Sequence, residues 1–286
     1  MNGLISVIVS TYNWPTALDL VLQSLALQKD QHFEVIVADD GSQAETTELI
    51  SRHQATFPHS LIHSWQEDKG FRLARSRNKA VTLAHGDYLI FMDGDCLVRQ
   101  DFVTQHRRLA QKRCVVAGQR ILLSKDFTQA LFQRPQLDWM NHLSTVIRFS
   151  QQKKLNRFSP AVSLPLDFLR LKRPTRWQLL RGCNWSLFKS DYLAVGGQDE
   201  VFEGWGYEDS DMAIRLINNG CRMKWGGFTS PCFHLWHKEA DRTLSGTNLS
   251  RLQALQKSHQ VQPDHPMASH YETAEPTTSA AVPPTR

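Results

Sequence analysis

The sequence predicts an α/β protein with a mainly parallel central sheet and helices on both faces. Three observations carry that prediction. Short apolar runs rich in β-branched residues alternate with segments of helical period through residues 4–93. Each run has the length of a strand and is apolar on both faces, as buried parallel strands are. Three of the four runs end in polar clusters, and in an open parallel sheet such ends converge where ligands bind.

The elements follow in order. Residues 4–9 form the first strand, ending at Ser10-Thr11-Tyr12-Asn13. Pro15 suits the first turn of a helix, and Leu18, Val21, Leu22 and Leu25 repeat at helical spacing. Residues 33–38 form a second strand, ending at Asp39-Asp40-Gly41-Ser42. A helix over 44–57, a strand over 61–65 and a helix over 71–85 lead to the fourth strand, which ends in Asp93-Gly94-Asp95. Beyond it the pattern predicts a helix over 101–111 and a strand over 114–123. Four prolines, Pro135, Pro160, Pro165 and Pro174, then punctuate 127–180 and predict loops and short helices. Order returns at 181–188, followed by a short helix and a Gly196-Gly197 turn. A helix begins near Asp209, shows Met212 and Leu216 on its apolar face and stops at Asn218-Asn219-Gly220. A strand over 221–226 comes next. From 257 onward Thr, Ser, Ala and Pro dominate, and a disordered tail is expected over 257–286.

The 286 residues suffice for one large domain or two small ones. Apolar runs of 18 or more residues are missing, and the amino terminus lacks a basic leader and a small-residue cleavage site, so the chain is expected to be neither secreted nor membrane-spanning. Five cysteines, scattered and without a Cys-x-x-Cys pair, suggest reduced thiols in a cytosol, and no zinc site is expected. The net charge of +5 is unevenly placed. Within 148–181, Arg148, Lys153, Lys154, Arg157, Arg170, Lys172, Arg173, Arg176 and Arg181 face the single acid Asp167. Such a patch attracts a phosphate-rich substrate, an anionic membrane surface or nucleic acid; the alternative is a solvated loop.

Asp93 and Asp95 stand two apart at the end of a buried strand, so an extended backbone points them the same way and one would resist ionisation without a counter-ion. A divalent cation removes that repulsion, and oxygen ligands favour Mg²⁺ or Mn²⁺. The alternative is a turn in which Asp and Gly merely end a strand. Neither a Gly-x-Gly-x-x-Gly after the first strand nor a P-loop occurs. Asp209 and its acidic neighbours begin a helix, where they complement the helix dipole. The preceding Gly204-Trp205-Gly206 lets backbone pass close to a ligand while offering an indole face on which a sugar ring can stack. His234 or His237 either satisfies an ordinary hydrogen bond or adds a ligand to a cation held by the two aspartates.

The Ser-Thr-Tyr-Asn turn, Asp39-Asp40-Gly41-Ser42, the run Asp68-Lys69-Gly70-Phe71-Arg72 through Arg77-Asn78, Asp93-Gly94-Asp95 and Gly204-Trp205-Gly206-Tyr207-Glu208-Asp209 together resemble family 2 glycosyltransferases of the GT-A fold. The match spans about residues 4–240, and the last element is similar to that of β-1,4-galactosyltransferases and chondroitin-polymerase domains. The resemblance implies a Rossmann-like GT-A domain over 1–256, with a nucleotide-binding half (1–100) and an acceptor half (101–256). It implies an enzyme using Mn²⁺ or Mg²⁺ that moves a sugar, with inversion, from a nucleotide-sugar (a UDP-sugar) to a hydroxyl of a glycan or glycolipid in surface polysaccharide synthesis. Thr11 and Asp39 would hold the uridine, Asp39 facing the uracil; Arg77 would lie near the donor, with Arg72 assisting. Asp95 would ligate the metal directly and Asp93 would lie nearer the ribose or sugar. A further metal ligand is expected at His237, with His234 as runner-up. Trp205 and Glu208 would line the sugar pocket, and Asp209 would be the catalytic base. The basic insert 148–181 fits no motif of the family; acceptor choice and contact with an anionic membrane are expected there, in a cytoplasmic protein without a nucleic-acid partner. A sugar nucleotidyltransferase would need a Gly-rich basic loop where Ser10-Thr11-Tyr12-Asn13-Trp14-Pro15 stands. A non-catalytic carbohydrate or membrane-surface module would have no need for Asp93, Asp95, Asp209 and a histidine together.

Overall fold

The computed structural model describes residues 1–229, 231–238 and 243–267. Its strands are β1 (Ile5–Thr11), β2 (Phe33–Asp39), β3 (Leu61–Trp65), β4 (Tyr88–Asp93), β5 (Cys96–Val98), β6 (Cys114–Ala117), β7 (Arg120–Leu122), β8 (Asn184–Phe188), β9 (Arg222–Trp225) and β10 (Cys232–His234). The helices are α1 (Pro15–Ala26), α2 (Ala44–Gln54), α3 (Leu73–Thr82), α4 (Phe102–Leu109), α5 (Lys125–Gln133), α6 (Leu143–Gln151), α7 (Lys189–Ala194), α8 (Glu208–Asn218) and α9 (Ser245–Leu255).

Every residue of β1 and β2 is buried, which is why both could be apolar on both faces. The main sheet runs β3-β2-β1-β4-β8-β6-β9. Its first four strands are parallel, with Val7 beside Val35 on one side and Ile90 on the other. β8 enters antiparallel between β4 and β6, pairing Ile90 with Ser186. One core layer packs α1 on the sheet through Leu18, Val21, Leu22 and Leu25; the other packs α3, α7 and α8 through Val81, Tyr192, Met212 and Leu216.

The expected single strand over 114–123 is two strands in two sheets. The break comes at Gly118, where the Asn184 side chain lies 2.2 Å from the position a Cβ would take. β6 stays in the main sheet, while β7 joins a small sheet of order β5-β10-β7. Both β5 and β10 have three residues, too few for a periodic signal. Their pairing sets His234 opposite Cys96, beside Asp95.

The proline-rich stretch holds α6 and four short 3₁₀ turns, as expected of it. One of its nine cations is structural: Arg170 is 1% exposed and donates to the carbonyls of Trp225 and Gly227. α9, absent from the sequence expectation, sets Leu252 and Leu255 against Ile214 of α8. The expected tail begins too early at 257. Residues 257–267 are held against the domain, with the backbone N–H groups of Asp264 and His265 donating to Asp199 and that of Met267 to Gly196 O. The remainder of the expected tail, 268–286, lies outside the described residues.

Candidate active site

A cavity of about 1000 Å³ opens beyond the carboxyl ends of β1 and β4. Thr11, Arg77, Asp93 and Asp95 line one part of it; Trp205, Glu208, Asp209, His234 and His237 line the rest. Two expected residues do not reach it. Asp39 is fully buried, its carboxylate accepting from Ser42 N–H and standing 2.9 Å from His63 Nε2, so it ties β2 to the following turn. Its neighbour Asp40 lines the cavity instead, because alternate residues leave a strand on opposite sides. The Arg72 side chain donates to Glu67 O, and its contribution near the cavity is a backbone N–H, 2.6 Å from Asp40 Oδ2.

The Asp-Gly-Asp turn is shaped by close packing. A Cβ on Gly94 would lie 2.8 Å from Ser10 O, the same oxygen that accepts the Gly94 N–H at 2.7 Å. Glycine therefore lets the turn lie against the end of β1 and delivers both acids to the cavity. Asp93 accepts from Arg77 Nη2 at 2.9 Å. Burial still pushes its carboxyl up to about 6, despite the opposing pull of Arg77.

Asp95 meets both histidines. His237 Nε2 lies 3.3 Å and His234 Nε2 3.5 Å from the same oxygen, Oδ2. The other ring nitrogens are engaged, His234 Nδ1 with Leu235 O at 2.8 Å and His237 Nδ1 with Lys238 O at 2.7 Å. A carbonyl partner requires Nδ1–H, which leaves Nε2 of each ring as the atom facing Asp95. Trp14 packs edge-on against the His237 ring. Asp93, Asp95, Cys96 and His234 bring ligating atoms within 4.8 Å of one another, and His237 Nε2 faces the same Asp95 oxygen, a set that suits a divalent cation. Both histidines of the expected alternative, His237 and His234, therefore face the same Asp95 oxygen.

On the facing wall, Gly204 (φ 72°), Gly206 (φ 106°) and Tyr207 (φ 77°) take left-handed backbone conformations immediately before α8. For tyrosine this costs on the order of 1 kcal/mol, held in place by the surrounding turn. The turn leaves Trp205 40% exposed on the cavity and places Glu208 and Asp209 in the first turn of α8. Asp209 Oδ2 accepts from Gly182 N–H at 2.7 Å, yet burial raises its pKa. Burial, then the Asp209 charge, pushes Glu208 up to about 7, and Glu208 Oε2 has no hydrogen-bond partner among the described residues.

Sequence reasoning missed the residues between these walls. Gly182 is one: its carbonyl accepts from Arg77 Nη2 at 2.9 Å while its N–H holds Asp209. A lone glycine in a loop carries no signal of that role. The other omission is a set of three thiols. Cys96, Cys183 and Cys232, far apart in sequence, place their sulfurs within 4.8 Å of one another, and Cys183 lines the cavity.

Residues 6–164 match the family described as glycosyl transferase family 2, and residues 166–238 match the N-terminal domain of galactosyltransferase. The chain is 29% identical over 234 residues to a validoxylamine A glucosyltransferase of Streptomyces hygroscopicus subsp. jinggangensis, covering 77% of this chain and 53% of that protein. It is 26% identical over 233 residues to a chondroitin synthase of Escherichia coli, covering 78% of this chain and 33% of the other. The chain thus spans about half the length of the first of these relatives. Among solved structures, the mannosyltransferase PcManGT of Pyrobaculum calidifontis in complex with GDP-Man and Mn²⁺ superposes with a TM-score of 0.56 at 19% identity, covering 89% of this chain and 64% of that one. GalNAc-T7 with UDP, GalNAc and Mn²⁺ gives a TM-score of 0.60 at 14% identity, covering 88% and 48%. These likenesses bear out the expected GT-A fold.

Proposed function

The chain belongs to glycosyl transferase family 2, and from that membership we propose that it moves a sugar from a nucleotide-sugar, a UDP-sugar, to a hydroxyl of a glycan or glycolipid with inversion at the anomeric carbon. The observation that carries the proposal is the meeting of His234 and His237 on one oxygen of Asp95, in a cavity whose other wall is Trp205, Glu208 and Asp209. Asp95, His234 and His237 would hold Mn²⁺ or Mg²⁺, with Asp93 beside them. Such an ion supplies Lewis-acid neutralisation of the charge on a departing nucleoside diphosphate.

The chain's own residues do the rest. Thr11 and Asp40 line the cavity at the ends of β1 and β2, where the nucleoside would lie. Buried Arg77 holds Asp93 in place and brings positive charge to the donor side. Trp205 offers a flat apolar face to a sugar ring. Asp209 accepts the proton of the attacking hydroxyl; its raised pKa makes it a better base than a free carboxylate. No second carboxylate is assigned as a covalent nucleophile, so a single displacement inverts the sugar.

An acceptor in surface polysaccharide synthesis is supported by similarity to a chondroitin synthase. No helix among the described residues is long and apolar enough to cross a membrane. Peripheral contact with an anionic membrane is supported by Phe168, 78% exposed, close in sequence to exposed Lys172 and Arg173. The decisive experiment measures UDP release from a panel of UDP-sugars with and without Mn²⁺. Metal-dependent release by one sugar is the expected result. Release of pyrophosphate from UTP and a sugar phosphate, or no turnover at all, overturns the proposal in favour of a nucleotidyltransferase or a binding module.

A further inference from the structure

The structure assigns a second metal site: Cys96, Cys183 and Cys232 form a three-thiolate cradle for a thiophilic dication of the Zn²⁺ type, adjoining the carboxylate–imidazole set at Cys96. This inference does not rest on the proposed sugar transfer. The three residues come from β5, from the segment preceding β8 and from β10, so their meeting is a product of tertiary packing. Their sulfurs lie within 4.8 Å of one another. A tetrahedral site with Zn–S bonds of about 2.3 Å needs sulfurs about 3.8 Å apart, a closure that side-chain rotation can provide.

Buried cysteines are commonly small inert hydrophobes, and Cys114 and Cys221 fit that description. The other three differ in their surroundings. Arg120 of β7 stands opposite Cys232 of β10, so a cation already lies beside the sulfurs. Three thiolates around a dication carry a net charge of −1, which the guanidinium balances, meeting the demand that a buried charge be paired. Cys183 also lines the cavity, which gives an ion a path in and leaves the fourth coordination position open to water. Each ligating thiol gives its proton to solvent, and no oxidant or reductant is involved.

The two sites adjoin through one side chain. Asp95 Oδ1 lies 3.5 Å from Cys96 Sγ, while Oδ2 faces the imidazoles. Cys96 Sγ also lies within 4.8 Å of ligating atoms of Asp93, Asp95 and His234, so the hard and soft donor sets meet at this thiol, and a thiophilic ion is the one drawn to its sulfur side.

The test uses the full chain, reduced, stripped of metal by a chelator and loaded with one equivalent of Zn²⁺. X-ray absorption at the zinc edge should show three sulfur neighbours at about 2.3 Å. A first shell of nitrogen and oxygen alone overturns the assignment, because the ion then sits on Asp95 and the histidines. With Co²⁺ in place of Zn²⁺, a sulfur-to-cobalt charge-transfer band should appear in wild type and Cys114→Ser and vanish in Cys183→Ser. A band that persists in Cys183→Ser overturns the site; should that variant fail to fold, the wild-type absorption spectrum decides.

Discussion

Arg77 Nη2 stands 2.9 Å from Asp93 Oδ1, a guanidinium wholly removed from solvent against a carboxylate one-third exposed to the cavity. The same nitrogen donates to Gly182 O, Nε donates to Ser10 Oγ, and the Gly182 N–H holds Asp209. One buried cation thereby aligns the acids of both cavity walls.

Arg77→Lys should therefore do more than weaken one ion pair. A lysine cannot supply the planar fork that reaches Ser10, Asp93 and Gly182 together. Stability in urea should fall by about 3 kcal/mol, and turnover should fall with it. Wild-type stability in the variant would mean that the fork is not what holds the walls.

Removing the ion's ligands should separate the two histidines from bystanders. Mn²⁺ affinity, followed by titration calorimetry, should drop by more than about tenfold in Asp95→Ala, His234→Ala and His237→Ala alike. Chelation should stop UDP release and added Mn²⁺ restore it. A full-affinity His234→Ala would return the ligand role to His237 alone.

Asp209→Asn keeps the shape of the residue and most of its hydrogen bonds but cannot accept a proton. UDP binding should survive while turnover falls about 10²–10⁴-fold. Near-normal rates in this variant would transfer the role of base to Glu208.

Glu208 also carries a stability signature. Its folded pKa, about 7, lies above the ordinary 4.5, so the folded state binds the extra proton between these values. Stability therefore falls as pH rises from about 4.5 to about 7, and the cost is complete above it. Glu208→Gln should stabilise the protein at pH ~8 by about 1–2 kcal/mol, discounted for the water the cavity admits, and leave it unchanged at pH ~4.

His106 works in the opposite sense. It is buried and neutral, between the Ser186 hydroxyl at 2.7 Å and Asn184 Oδ1 at 3.0 Å, and burial lowers its pKa to about 4 from 6.5. The unfolded chain takes up a proton there first, so stability is lost as pH falls from about 6.5 to about 4, by about 3 kcal/mol. Urea denaturation across that range should show the loss in wild type and a flatter profile in His106→Gln.

The fourth strand and its Asp-Gly-Asp end were legible because burial on both faces and a charged terminus are local properties of a short run. So was the Gly-Trp-Gly-Tyr-Glu-Asp turn, whose glycines mark positive φ at Gly204 and Gly206. Asp39 and Asp40 were not separable, since only the path of the chain after β2 decides which of two adjacent carboxylates faces the cavity. The break at Gly118 was hidden for a like reason, being imposed by Asn184 from a strand 66 positions later.

By itself, then, the sequence determined the α/β class, the parallel sense of the first four strands, and the acids Asp93, Asp95 and Asp209 that line the cavity, because period, chain length and turn chemistry act between neighbours. Only the tertiary structure decided that two histidines share one Asp95 oxygen, that Arg77 reaches Asp209 through a single residue, Gly182, and that the sulfurs of three distant cysteines come within 4.8 Å of one another. The histidine and cysteine contacts gather where β5, β7 and β10 close into a second sheet, and pairings between such short, remote strands leave no periodic trace in the chain that makes them.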